Sequence, residues 1–86
     1  MYEKILQSVT LKSNQNIRIE AGKVDINTNT PKFHIEIDAP PNVKNKIECQ
    51  GVVVGTDNGY GKKFYVLSNK SDLSARVDLI EIIDIE

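Results

Sequence analysis

One cysteine, Cys49, and one histidine, His34, stand in a chain of 86 residues that has no tryptophan. A lone cysteine excludes an intrachain disulfide framework. Two soft ligands cannot fill the four-ligand shell of a structural zinc ion. Long apolar runs are missing as well. The longest, Val52–Val54 and Phe64–Leu67, fall far short of the roughly 20 residues that a membrane-spanning helix needs. Met1–Leu11 carries charge and lacks the apolar stretch of a secretory signal. Charge of one sign is absent too: 11 Lys and Arg stand against 12 Asp and Glu, for a net −1. With 40% hydrophobic residues and balanced charge, disorder is disfavoured. These absences leave a single small domain over residues 1–86, expected in the cytoplasm and away from membranes, with no metal and no cofactor. A domain of this size buries only roughly 60–65% of the surface its unfolded chain exposes, so its core is thin.

The apolar residues that are present favour strands. Eleven Ile and eight Val outnumber five Leu and three Ala. Branched side chains are stiff at χ1 and pack on a pleated surface, whereas Leu and Ala favour helices. Alternation supports the same reading. Phe33, Ile35 and Ile37 alternate with His34, Glu36 and Asp38, the cleanest period of two in the chain. Val9–Leu11, Ile17–Ala21, Val24–Ile26, Ile47–Thr56, Lys63–Ser68 and Arg76–Ile85 read as further strands. Ala21-Gly22 separates two of them. Ala39-Pro40-Pro41-Asn42 must leave the sheet, because two prolines remove two ladder donors. Tyr2, Ile5, Leu6 and Val9 also fit one helical face, so a short helix or turn feeding the first strand is expected. The fold class is all-β: a small barrel of the SH3, Sm or OB kind, or a compact β-sandwich, of six to seven short strands.

Asn58-Gly59 is the strongest hairpin signal. A two-residue loop sets Val54 opposite Lys63; a three-residue loop sets Val54 opposite Phe64 and Val52 opposite Val66. The second register keeps apolar residues together and is the one expected. Gly51 and Gly55 predict a bulge or sharp bend.

Catalytic inventory is sparse. His34 falls on the polar face of its strand, and Cys49 lies where a small buried thiol is expected, with no base marked for it. Gly55–Gly61 followed by Lys62-Lys63 lacks the offsets and the helix of a phosphate loop. Carboxylates gather at Asp78, Glu81, Asp84 and Glu86, but alternation splits their facing, and charged strand edges that discourage pairing explain them. The chain is therefore expected not to be an enzyme.

Two features point to binding. Val77, Leu79, Ile83 and Ile85 face one way on the last strand, with Ile80 and Ile82 facing the other. A strand apolar on both faces is central, or meets a partner. On this ground the expected function is a non-catalytic protein-binding, adaptor or inhibitor module, self-associating through Ile80 and Ile82 by strand addition. The alternative rests on charge. Residues 40–71 hold five Lys against Glu48 and Asp57, whereas residues 72–86 hold Arg76 against five acids. Lys44, Lys46, Lys62 and Lys63 interleaved with Tyr60, Phe64 and Tyr65 suit single-stranded nucleic acid, with Tyr60 as the stacking ring.

Two short resemblances accompany this reading. Residues 47–85 resemble Sm-like barrels in their order of strand, glycine bend, turn and return strand, without the nucleotide-pocket motifs of those proteins. Ala39-Pro40-Pro-Asn-Val43 resembles the Ala-Pro-x-x-Val stretch of CsrA-type RNA-binding proteins, with Lys44 and Lys46 nearby where those proteins place an arginine.

Overall fold

A computed structural model describes residues 2–27 and 31–83. The order of elements is β1 (Tyr2–Leu11), β2 (Asn16–Asp25), β3 (Phe33–Asp38), α1 (Pro41–Lys44), β4 (Ile47–Asp57), β5 (Tyr60–Asn69) and β6 (Ala75–Ile83). The strands form two antiparallel three-stranded sheets, ordered β1-β6-β3 and β2-β5-β4. Among the described residues no ladder joins the two into a closed barrel, so the all-β expectation is met as two packed sheets.

Alternation builds the core between them. Leu11 on β1, Val77 and Leu79 on β6 and Phe33 on β3 face Ile19 on β2 and Tyr65 and Leu67 on β5. Each strand offers every second side chain to this layer. Pro40 and Pro41 break the chain out of β3 into the single turn of α1, whose Val43 is buried. The first strand holds no helix: it is extended from Tyr2, and its ladder with β6 skips a residue between Ile5 and Gln7. That bulge at Leu6 reconciles the helix-like spacing of Tyr2, Ile5, Leu6 and Val9 with a strand.

Gly22 does not end a strand either. β2 runs through it with a register shift between Glu20 and Gly22, and so two expected strands are one. The β4–β5 hairpin corrects the expected register. Asn58 (φ 53) and Gly59 (φ 81) form a two-residue turn with both central residues left-handed, the type I′ geometry that matches strand twist. Gly55 (φ 67) then carries a bulge, with the ladder shifting between Val54 and Asp57. Val54 thereby meets Lys62, Val52 meets Phe64 and Gly51 meets Tyr65. Turn chemistry and a glycine bulge, rather than apolar matching alone, set the pairing.

Asn69, only 1% exposed, seals one end of the sandwich. Its Nδ2 donates to the Leu11 carbonyl at 3.1 Å and to the Leu73 carbonyl at 2.9 Å. Its Oδ1 accepts from the Ser71 amide at 2.9 Å and from Ser71 Oγ at 2.7 Å. A buried amide costs several kcal/mol when unpaired, roughly 2–7 by transfer measures, and here both ends are satisfied.

The last strand is central. β1 and β3 pair with its two edges, so β6 has no open edge for strand addition. Ile80, expected to meet a partner, is 4% exposed. It sits opposite Ile5 on β1 and His34 on β3. His34 Nε2 and Glu3 Oε1, on the two flanking strands, approach to 3.8 Å and so reach across β6 from both sides. Residues 84–86, which complete the expected strand and carboxylate cluster, lie outside the described residues.

Candidate functional site: a cleft of lysines and aromatic rings

The opposite end of the sandwich is open. There the start of β5, the ends of β2 and β6, the entry to β3 and the middle of β4 surround a cleft of about 760 Å³. Strand alternation brings Lys63 and Tyr65 into it, and Tyr60 and Lys23 close its mouth from the strand ends. Gly61, Tyr65 and Leu67 are buried on the inner side of β5, and Lys63 shares that side with them, half-buried. An inward lysine is tolerated because the sheets do not close over it. Gly51, one strand away, makes room: a Cβ there would lie 2.7 Å from Lys63 Nζ. The Lys63 ammonium sits 5.4 Å from the centre of the Tyr65 ring.

Two further lysines repeat the arrangement. Lys23 Nζ lies 4.3 Å from the Tyr60 ring centre and Lys32 Nζ lies 5.6 Å from that of Phe33. All six residues line the cleft. Each ammonium is held near the negative face of a ring, an attraction worth about 0.5–1 kcal/mol at exposed sites. Asp25 is the one carboxylate among the lining residues, and its Oδ1 accepts from the Asn27 amide at 2.9 Å. The floor is fixed across the sheets by Tyr65, whose hydroxyl donates to the Phe33 carbonyl at 2.9 Å. Phe33 and Tyr65 are buried, whereas Tyr60 is 44% exposed. Tyr60 alone of the three has a ring face to offer a ligand.

Burial pushes the Tyr65 phenol above its ordinary range, and the neighbouring Cys49 adds to the rise. Burial also raises the Cys49 thiol, while Lys63 pulls it partly back. Cys49 was expected inside; it is exposed, because β4 is an edge strand.

Of the basic and aromatic residues singled out from the sequence, Tyr60, Lys63 and Tyr65 line the cleft and Phe64 does not. Lys62 stands on the outer face, 3.6 Å from Glu20. Lys44 ends α1 and Lys46 precedes β4, the length of β4 away from the hairpin tip, or about 35 Å at roughly 3.3 Å per residue. Ile82 lines the cleft and Ile80 does not. Sequence reasoning missed Lys23, Lys32 and Phe33. Their only signal was a Lys beside the core-facing Val24 and Phe33, at the two ends of the loop that joins β2 to β3.

Side chains capable of chemistry are dispersed. His34 is beside Glu3 and Cys49 is on the β4 edge. Asp78 accepts from Ser8 Oγ at 2.6 Å and from Arg76 Nε at 3.1 Å, and the Ser8 hydroxyl, with Arg76 second, holds its carboxyl below the usual range. Among the described residues no three potential metal ligands cluster, and no helix is long and apolar enough to cross a membrane. No protein-family model, curated protein or solved structure matches this chain.

Proposed function

We propose that the protein is a non-catalytic binding module whose cleft takes single-stranded nucleic acid. The observation that carries this reading is the convergence of Lys23, Lys32 and Lys63 on a ring-lined cleft with one, internally bonded, carboxylate. Lysines supply phosphate contacts, and an exposed ring accepts one stacked base whatever its identity. The cleft volume suits a nucleotide or two rather than a long track. An adaptor role by strand addition to β6 has less support, since Ile80 is covered and both edges of that strand are paired, although Ile82 is only half-buried and faces the cleft. The non-catalytic part is supported by the separation of His34, Cys49 and Asp78.

The test is fluorescence anisotropy with short labelled oligo-dT and oligo-U. Three lysine contacts to a single strand give a slope of log K against log salt of about −2, at roughly 0.7 per phosphate neutralised. Tyr60→Ala is expected to remove about 1–3 kcal/mol of binding with the fold retained. An absence of salt-sensitive binding at low ionic strength would sink the reading.

A further inference from the structure

We infer that two copies of this chain join edge to edge through β4. Among the described residues four strands have an open edge: β1, β3, β2 and β4. Three of them carry the charges that discourage pairing. β1 has Glu3 and Lys4, and a bulge at Leu6 breaks its uncharged stretch from Ile5 to Leu11; β2 has Arg18, Glu20, Lys23 and Asp25; β3 has Glu36 and Asp38. β4 differs. Its two charges, Glu48 and Asp57, stand near its ends, and residues 49–56 between them hold no charge and no proline and include three consecutive valines. Val53 and Val54 are 37% and 45% exposed. An uncharged, extended edge rich in valine templates another strand, and proteins that must keep such an edge free place lysine, proline or a bulge there. The one bulge in β4, at Gly55, lies past the valines.

The occupant is a second copy because the segment is its own complement. Antiparallel pairing of identical edges about a two-fold axis keeps like faces together, so a residue meets a partner of equal facing. Centred on Val52, the pairing sets Val52 beside Val52 of the second copy, Gly51 beside its Val53 and Gln50 beside its Val54. Glu48 then falls opposite Thr56 and clear of the valines. Centring on Gly51 would instead drive Glu48 onto Val54. On the outer face the stripe of Val52, Val54 and Phe64 continues across the axis. The pairing also bears on the cleft, in a clause that rests on the binding reading above. Lys63 reaches over Gly51 towards the edge, so each copy brings its Lys63 beside Val53 of the other, and two clefts merge into one basic trough.

The experiment uses the full chain without nucleic acid, so its failure is separate from any failure to bind oligonucleotides. Sedimentation equilibrium across the micromolar range is expected to show the mass of two chains. Val52 lies outside the cleft lining. Val52→Lys sets two ammonium groups against each other on the axis and Val52→Glu two carboxylates. Each is expected to weaken association at least about tenfold, and mixing the two variants is expected to restore the two-chain mass. Val54→Lys, at an already exposed position, provides a second variant should Val52 prove necessary for folding, with circular dichroism reporting the fold. A wild-type chain that stays single throughout overturns the inference. So does a folded charge variant that associates like the wild type, or a mixture that stays single.

Discussion

Lys63 and Asn69 lie on the same strand and the same inner face, six residues or about 20 Å apart, at opposite ends of one sandwich. At the Asn69 end every polar atom is used, and β1, β5 and the turn into β6 are tied into one buried network. At the Lys63 end the sheets stay apart, a lysine points inward and three ammonium groups crowd three rings. The same pattern of alternation thus delivers a seal at one end and a cleft at the other. The difference lies in what occupies the inward positions. An amide can satisfy its partners inside the protein, whereas an ammonium with no facing carboxylate must keep access to water or to an anion.

The comparison can be broken at each end. The largest effect is expected at the seal. Asn69→Leu leaves the Leu11 carbonyl and the Ser71 amide without their side-chain partner, while the Leu73 carbonyl keeps Ser71 Oγ, and is expected to cost about 2–4 kcal/mol in urea unfolding. Asn69→Asp sharpens the point: it keeps the shape but turns an acceptor towards two carbonyls, and should be at least as damaging. An exposed site with replaceable bonds would instead tolerate both changes.

At the open end the expectation reverses. Lys63→Met retains contact with the Tyr65 ring and removes the charge. Stability should change by less than about 1 kcal/mol, because no buried partner is orphaned, while oligonucleotide affinity should fall several-fold and the salt slope should shrink by about 0.7. A large loss of stability with unchanged affinity would make Lys63 a structural residue and reverse the contrast between the two ends.

The smallest effect lies on the outer face, where neither argument applies. Asp78 has a depressed pKa in the folded chain, so its ionised form favours folding above its unfolded pKa, and that contribution is lost as pH falls through the lower, folded value. Ser8→Ala removes the largest cause of the depression. The variant should be slightly less stable at neutral pH, and its unfolding curve should converge on that of the wild type in acid. A gap that stays constant with pH would show that the hydroxyl acts through packing rather than through the carboxylate.

Much of the scaffold was legible in the residues. The alternation at 33–38, the proline exit after it and the Asn58-Gly59 turn all read through to structure. What local pattern could not supply was pairing. Gly22 looks like a terminator in one dimension, but a neighbouring strand turns it into a bulge. Gly55 moves the β4 register by one residue, which neither hairpin loop alone would give. Cys49 has the composition of a core position and the exposure of an edge, because edge status depends on which strands come to lie beside it. The cleft was half legible for the same reason. Tyr60 and Lys63 are near each other in the chain, whereas Lys23 and Lys32 join them only once β2 ends and β3 begins at the same mouth.

Ser8 and Asp78, 70 residues apart, hold hands across a ladder that joins β1 to β6. Contacts of such long range delay folding, because most of the loop entropy must be lost before they form. The β4–β5 hairpin, closed by two residues, can assemble locally. The β4–β5 hairpin is therefore expected to form first, with β1 and β3 waiting for the strand that lies between them. During that interval the β1 apolar residues have no partner, and the charges at Glu3 and Lys4 act as guards against aggregation before they serve any purpose in the finished molecule.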